Sequence, residues 1–199
     1  MRHLPRGMAN VLMVLAVQGC AGTASVISPG QQQSLQSLSL FNPDASPRFV
    51  ADLACSGNDV SCRTVENAFY AWARDRHVQL RTVESGDAAF SGGQPAHRPN
   101  PALPYRLAIR VAPLIIPSFD ESGGGHGDMR NGTVYTPPKV GYTATIRVVD
   151  AATGKSLRAL PVHDQQDAAY KSDAGKYFRA EMNVLIGSFD PAYRAMQQK

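Results

Sequence analysis

The strongest constraint on the fold is an alternation of residue type around position 108. Residues of one parity are apolar and those of the other are small or charged: Tyr105, Leu107, Ile109 and Val111 against Arg106, Ala108, Arg110 and Ala112. A period of two is that of a β-strand with one buried face and one polar face. The chain therefore contains a sheet that has to bury only one of its faces.

Shorter segments repeat this pattern and predict four more strands, at 49–55, 78–83, 142–148 and 157–162. The last two are separated by turn-forming residues, 150–155, which predict an antiparallel hairpin. Heavy Gly/Pro punctuation without periodicity predicts exposed loops at 85–104 and 117–138.

Two segments have the helical period instead. The first is capped by Asp59 or Ser61 and carries an apolar stripe of Val65, Phe69 and Trp72. The second is capped by Ser172 or Asp173, ends at Asp190–Pro191, and carries its own stripe: Phe178, Met182, Leu185 and Phe189. Two such helices are enough to cover one face of the sheet.

These elements predict an α+β two-layer sandwich, with a mostly antiparallel sheet of about five strands and two helices on one face, in the order β-α-β-β-β-β-α. The helix after the first strand is a crossover, so the first two strands are expected to be parallel. At 199 residues the chain is long enough for one core, and we expect a single domain at 49–199. Ser, Gln, Gly and Pro dominate residues 20–48, which predicts a flexible tether, although the Leu periodicity at 34–41 allows a short helix or strand within it.

The N-terminus has the pattern of a targeting segment. Basic residues at positions 2 and 6 precede an almost wholly apolar run from Met8 to Val17. About ten apolar residues are too few to span a bilayer but suit the apolar region of a signal peptide. The run ends in Val17-Gln18-Gly19-Cys20.

This ending resembles the lipobox of bacterial lipoproteins, in which an aliphatic, a variable and a small residue precede the acylated cysteine. The resemblance implies removal of residues 1–19, diacylglycerol attachment at Cys20 and N-acylation of the new terminus. Ala21, rather than Asp, follows the cysteine, which in enterobacterial lipoproteins implies the periplasmic face of the outer membrane. An ordinary signal peptide cleaved nearby is the alternative, and it also exports the protein.

The order of elements over 49–189, behind a lipobox, resembles small periplasmic α+β lipoproteins such as the activators of penicillin-binding proteins and the curli-secretion lipoprotein. The resemblance concerns layout alone, because fold does not determine function. It assigns no functional residue.

Cys55 and Cys62 are the two cysteines left after Cys20. One ends the first strand and the other lies in the first turn of the following helix, so in an oxidising compartment we expect a structural disulfide between them. A reactive thiol at the helix N-terminus is the alternative.

No motif identifies a catalytic residue, a cofactor site or a metal site. Residues 152–156 end like a phosphate-binding loop, but they lie in a hairpin turn and lack the first glycine. His126 and Asp128 offer too few ligands for zinc. His77, His97 and His163 are scattered, and Asp164 and Asp167 are expected to be solvent-facing charges.

Charge gives no support to nucleic-acid binding. The net charge of +4 includes Arg2 and Arg6 in the leader, which leaves 18 basic and 16 acidic residues and a net charge of +2. No basic cluster is visible along the sequence.

The anchor and two long loops on a sheet favour a non-enzymatic accessory that binds another envelope protein, in secretion, polymer export or cell-wall synthesis. An immunity or inhibitor lipoprotein, which blocks a periplasmic toxin or hydrolase, is the second hypothesis. An envelope hydrolase is the third.

Overall fold

The fold is described from a computed structural model, which describes residues 27–91, 100–116, 119–121, 134–136, 138–167 and 174–193. The elements in chain order are α1 (Pro29–Gln36), β1 (Phe49–Cys55), α2 (Asp59–Asp75), β2 (Gln79–Thr82), α3 (Ala88–Ser91), β3 (Tyr105–Ile116), β4 (Phe119–Glu121), β5 (Val134–Thr136), β6 (Lys139–Asp150), β7 (Ser156–Asp167) and α4 (Ala174–Phe189). No helix within these ranges is long and apolar enough to cross a membrane.

Five strands form one sheet in the order β2-β1-β3-β6-β7, and β4 pairs with β5 separately. The predicted α+β sandwich is confirmed, as are the parallel β1–β2 pair and the antiparallel β6–β7 hairpin. The sheet is evenly mixed rather than mostly antiparallel, because β3 also runs parallel to β1. The connection from β2 to β3 is long enough to carry the chain back to the starting end of the sheet, as a parallel pairing requires.

The helix-covered face of the sheet holds an aromatic core. Trp72 of α2 lies 6.2 Å from Phe49, 6.0 Å from Phe69 and 5.4 Å from Phe189, measured between ring centroids. These rings join α2, α4 and β1, and all four are buried. The two apolar stripes predicted from the helical period are therefore the ones that form the core.

The prediction of a flexible tether is wrong for residues 27–48, while residues 20–26 lie outside the described ranges. Ile27, Leu35 and Leu40 are buried in the main core. The Phe41 ring packs edge-on against Phe49 at 5.4 Å, and the Arg76 guanidinium lies 4.3 Å from its centre. The average composition is polar, but a few apolar side chains fall where the core accepts them, and their burial offsets the cost of ordering the segment.

A capping box begins α1. The Ser28 hydroxyl accepts a hydrogen bond from the Gln31 N–H, and the Gln31 side chain accepts one from the Ser28 N–H. Because the reciprocal bonds satisfy two backbone donors at the helix N-terminus, they favour helix in a segment whose overall polarity does not.

The predicted loop at 85–104 contains a helical turn in its described part, while residues 92–99 lie outside the described residues. Within it, Ala89 and Phe90 of α3 are buried against Ala54 and Ala108. This contact lies on the face of the sheet away from α2 and α4. A single helical turn therefore covers part of a surface that the sequence predicts to be fully exposed.

The Asp150 side chain holds the turn of the β6–β7 hairpin. The Asp150 carboxylate accepts from both the N–H and the hydroxyl of Thr153. Gly154 follows with φ of 71°, in the left-handed region that glycine adopts most readily. Residues 152–156 are thus a turn, as predicted, and not a phosphate-binding loop.

Candidate functional site

The sheet face away from α2 and α4 carries four arginines, and we call it the arginine face. Its members come from three strands: Arg81 from β2, Arg106 and Arg110 from β3, and Arg147 from β6. They occupy the polar parity of each strand, so the alternation that buries the other parity brings all four to one side.

Strand register places these arginines around one small residue. Arg81 is opposite Asp52, Asp52 is opposite Ala108, and Ala108 is opposite Arg147. Arg106 and Arg110 lie two residues before and after Ala108 on β3. Four cations thus surround Ala108, with Asp52 as the only carboxylate in that row.

Asp52 is fully buried and shared by two arginines. Its Oδ1 accepts from Arg81 Nε at 2.8 Å and from Arg81 Nη2 at 2.6 Å. Its Oδ2 lies 3.6 Å from Arg106 Nε, too far for a hydrogen bond. The two guanidinium groups differ in exposure: the Arg81 side chain is 60% exposed and that of Arg106 only 17%.

The other two arginines hold the α3 turn on the sheet. Arg110 Nη2 donates to the Ser85 carbonyl oxygen, and its guanidinium lies 4.6 Å from the Phe90 ring centre. Arg147 Nη1 donates to the Phe90 carbonyl oxygen. These bonds satisfy backbone acceptors at the turn and fix the positions of both guanidinium groups.

Several donors on this face are buried without a hydrogen bond, among them Arg106 Nε, Arg106 Nη2 and Arg110 Nε. The acceptor Asp52 Oδ2 is also buried without a hydrogen bond. A buried donor without an acceptor costs free energy, more so when it is charged. The four arginines therefore have more hydrogen-bonding capacity than the described residues use.

Beside the arginines, β6 and β7 present an exposed sheet surface of small and polar side chains: Thr143, Thr145, Ala159, Pro161, His163 and Gln165. Both strands are twelve residues long and paired along their length. The charged centre therefore continues into a rigid, accessible surface.

An apolar groove of about 300 Å³ lies between the 35–45 segment and the end of α4. Its charged lining residues, Arg76 and Asp190, are ion-paired at 2.8 Å. Asp190 also accepts from Trp72 Nε1. The groove thus offers no free charge to a ligand, and the arginine face is the better candidate.

An acidic pair, buried Glu181 and partly buried Asp164, lies on the other side of the sheet, where α4 packs on β6 and β7. Burial and then the hydrogen bond to Asp164 raise the pKa of Glu181 to about 7. Burial, together with these two carboxylates, also raises the pKa of Tyr142 well above its usual range. Asp164 is therefore a partner within a buried cluster, rather than the purely solvent-facing charge that the sequence predicts.

A disulfide joins Cys55 at the end of β1 to Cys62 in the first turn of α2, as their spacing predicts, with a Cα–Cα distance of 5.5 Å. Asn58, rather than Asp59 or Ser61, caps the helix by accepting from the Ser61 N–H. The disulfide fixes the start of α2 to the end of β1, and so to the sheet.

The remaining sequence-predicted positions do not converge. His77 follows α2 with φ of 55°, while His163 is exposed on β7. Cys20, His97, His126 and Asp128 lie outside the described residues. Within the part of the chain that the structure describes, no three metal-ligating side chains come together.

Sequence reasoning missed the arginine face, although a signal was present. Arg81, Arg106, Arg110 and Arg147 all fall on the polar parity of predicted strands. Within its own strand, each of these arginines has the pattern of an ordinary solvent-facing charge. Only the strand order, which brings β2, β1, β3 and β6 side by side, turns them into a cluster.

Comparisons with known proteins give remote matches. No protein-family model matches the chain, and no curated protein does. A homologue of neuraminyllactose-binding hemagglutinin from Helicobacter pylori is similar at 8% identity and a TM-score of 0.39, covering 76% of this chain and 92% of that one.

Two solved lipoproteins are also similar. A minor lipoprotein from Acinetobacter baumannii matches at 14% identity and a TM-score of 0.30, covering 73% of this chain and 91% of its own. A lipoprotein from Neisseria meningitidis matches at 14% and 0.30, covering 69% and 99%. Likeness at this level carries no inference about function, which rests on the residues described above.

Proposed function

We propose that this chain is an exported, lipid-anchored binding protein of the bacterial envelope, a non-enzymatic accessory that holds another envelope protein on its arginine face. The observation that carries the proposal is the exposed β6–β7 surface of this face, which borders the cluster of Arg81, Arg106, Arg110 and Arg147 where α3 covers Ala108. Fixed charges on a rigid surface are what a specific docking site requires, because little ordering is left for binding to oppose.

Two features support export. The sequence Val17-Gln18-Gly19-Cys20 favours acylation of Cys20 at the periplasmic face of the outer membrane, with the acyl chains as the contact to the membrane. The Cys55–Cys62 disulfide is of the kind that persists in oxidising compartments.

The chemistry of the face favours binding over catalysis. A guanidinium keeps its proton at any physiological pH, so it holds an anion but does not act as an acid or a base. Asp52, the one carboxylate in the cluster, already accepts two short bonds from Arg81. The four arginines and Asp52 therefore suit binding and orienting an anionic ligand better than they suit acid–base chemistry.

Site-specific photo-crosslinking in the intact envelope tests this proposal. A photo-reactive residue at Thr145 or Gln165, both exposed on the arginine-face side, is expected to capture a partner protein. The matched control is the same probe at Asn67, exposed on the outer side of α2, which is expected to capture none. Equal capture from both sides, or none from Thr145 and Gln165, would contradict the proposal.

The identity of the captured protein separates the hypotheses that the sequence leaves open. A component of a secretion, export or cell-wall machine supports the accessory role. A toxin or hydrolase supports the inhibitor role instead. Mass spectrometry of the mature N-terminus tests the anchor independently, since an unmodified Cys20 would remove it.

A further inference from the structure

We propose that a second copy of this chain pairs with the open edge of β7, so that two five-stranded sheets join into one continuous sheet. The inference goes beyond the proposed function, because it concerns an edge of the sheet and not its face. Three observations carry it: the length of the edge, the direction of its backbone groups and the charges on either side of its centre.

The two edges of the sheet differ in length. At one edge β2 has four residues, whereas β7 at the other has twelve and is paired only with β6. After one register shift near its start, β7 pairs regularly from Arg158 to Asp167. An edge strand leaves a row of backbone N–H and C=O groups that a further strand can bind. The long and regular edge of β7 is therefore the stronger candidate for pairing.

Hydrogen bonds at the end of β6 show which way the β7 backbone faces. The Asp150 N–H donates to the Lys155 carbonyl across the hairpin, while the Ala151 N–H donates to the Pro104 carbonyl on the β3 side. Because successive residues of a strand direct their backbone groups to opposite sides, the even-numbered residues of β6 face β7. Their partners on β7 are also even-numbered. The odd-numbered residues after the register shift therefore face the open edge: Ala159, Pro161, His163, Gln165 and Asp167.

The centre of this edge has unused backbone groups. Pro161 lies where its missing N–H costs no bond to β6, as expected for proline in an edge strand. The Gln165 N–H donates to the neighbouring Asp164 carboxylate at 2.9 Å. Among the described residues, the N–H and C=O groups of Ala159 and His163 have no hydrogen bond, and both residues are exposed. Two residues with free donors and acceptors thus stand on either side of Pro161.

These groups are complementary to themselves. If two copies of β7 pair antiparallel about a two-fold axis at Pro161, Ala159 of each copy faces His163 of the other. Residues that face each other in this way exchange both of their N–H···O bonds, so two bonds form on each side of the axis. The proline of each copy then lies at the axis, where it interrupts the ladder only once.

Charge selects this register. Arg158 is exposed, and the Asp164 carboxylate already reaches the open edge, where it accepts from the outward-facing Gln165 N–H. Both lie three residues from Pro161, so the two-fold axis places Arg158 of each copy opposite Asp164 of the other. Opposite charges in such positions stabilise a strand pair. A register shifted by two residues in either direction places Arg158 opposite Val162 or Gln166, and both ion pairs are lost.

An extended segment of another protein is the competing occupant of this edge. It would use the same backbone groups, but it would also have to supply an acid and a base at the matching spacing. A second copy supplies both by symmetry, and two-fold dimers are the commonest oligomers of soluble proteins. The charges therefore favour the second copy.

Single cysteine substitutions along the edge test the register. In the mature full-length chain in neutral detergent, Pro161→Cys is expected to form a disulfide between copies on mild oxidation, because position 161 faces itself across the axis. Ala159→Cys and Gln165→Cys are the matched controls, since each position is at least about 13 Å from its counterpart. A non-reducing gel should show neither control crosslinked alone, whereas Ala159→Cys mixed with His163→Cys should crosslink.

The backbone contribution is tested by sedimentation equilibrium in density-matched detergent. The native chain is expected to change from one copy to two as its concentration is raised to about 1 mM. His163→Pro removes the outward N–H and should weaken association about tenfold, because both copies lose a bond. His163→Ala keeps that N–H and should stay within about twofold of the native chain.

Reversal of one charge tests the ion pairs separately. Arg158→Glu should weaken association about tenfold, because it places like charges opposite each other in both halves of the dimer. Lys155→Glu, in the exposed hairpin turn, is the matched charge reversal and should have no effect. A thermal melt of each variant separates lost pairing from lost folding. Because Arg158 is exposed, its variant keeps the test valid even if His163→Pro unfolds.

A single copy at every concentration, or equal crosslinking at positions 159, 161 and 165, would overturn the inference. So would a Pro161→Cys chain that does not crosslink while a photo-reactive residue at Gln165 captures another protein, which would assign the edge to a partner strand. If the Thr145 probe captures an envelope protein while the chain stays monomeric, the proposed function stands and only the pairing of two copies is refuted.

Discussion

The two faces of the sheet differ in what they bury, apolar side chains on one and charged side chains on the other. The helix-covered face is closed by three aromatic rings packed around Trp72, and it is where burial of apolar surface stabilises the fold. The arginine face places a buried carboxylate among cations, an arrangement that rarely adds net stability because both charges lose water. The first face stabilises the fold, and the low net stability expected from the second is consistent with the binding role that we propose for it.

The largest expected effect comes from removing the centre of the aromatic core. Trp72→Ala should lower the free energy of unfolding by about 4 kcal/mol, because it leaves a cavity between Phe49, Phe69 and Phe189. Urea denaturation measures the loss. Val60→Ala on the same helix, at a site 76% exposed, is the control and should change stability by less than about 0.5 kcal/mol. Similar losses in both variants would break the comparison.

The disulfide is the next contributor on the helix-covered side. Replacing Cys55 and Cys62 by Ser should lower stability by about 2.5 kcal/mol, because the unfolded chain regains the freedom of a short loop. A reductant should shift the native protein by the same amount and leave the double variant unchanged. A shift in both would mean that the reductant acts elsewhere.

On the arginine face, removing only the Asp52 carboxylate should lower the free energy of unfolding more than replacing Asp52 and Arg106 together. Asp52→Ala should cost about 2 kcal/mol, because it leaves Arg106 partly buried without its carboxylate, while Arg81 can turn to water. Replacing Asp52 by Leu together with Arg106 by Met should restore stability to within about 1 kcal/mol of the native chain. If the double variant stays as unstable as Asp52→Ala, the charges are needed for folding, and the contrast between the faces fails.

Glu181 is an ionisable group inside the apolar, helix-covered layer. Its titration therefore tests how strongly that layer disfavours charge. Burial raises its pKa from 4.5 to about 7, so the folded state binds a proton that the unfolded state has already released. The contribution to stability is therefore complete below about pH 4.5 and is lost as the pH rises through 7. Chemical denaturation between pH 5 and 8 should show native stability falling with pH, and Glu181→Gln should remove most of the fall. An equal slope in both proteins would contradict this assignment.

The sequence predicts the layers better than it predicts the site. Helical stripes such as Val65, Phe69 and Trp72 and the alternation around Ala108 are local patterns, and each states which side of its element is buried. Nothing local states which strands are neighbours. Arg81 and Arg147 are brought into one row by the register of four strands, which the sequence does not specify.

The error at residues 27–48 has a different cause. A polar average composition predicts disorder when apolar residues are too few to offset the entropy of ordering. The segment has few apolar residues, but Ile27, Leu35 and Leu40 are among them and all three are buried in the core. The Leu periodicity at 34–41 signals local order, but whether these side chains are buried depends on the surface formed by later parts of the chain.

The docking of residues 27–48 also limits how far the protein can travel from its lipid. With Cys20 acylated as proposed, only residues 21–26 separate the anchor from buried Ile27, a distance of at most about 25 Å when fully stretched. The folded part of the chain would then stay close to the bilayer and would not reach across the periplasm.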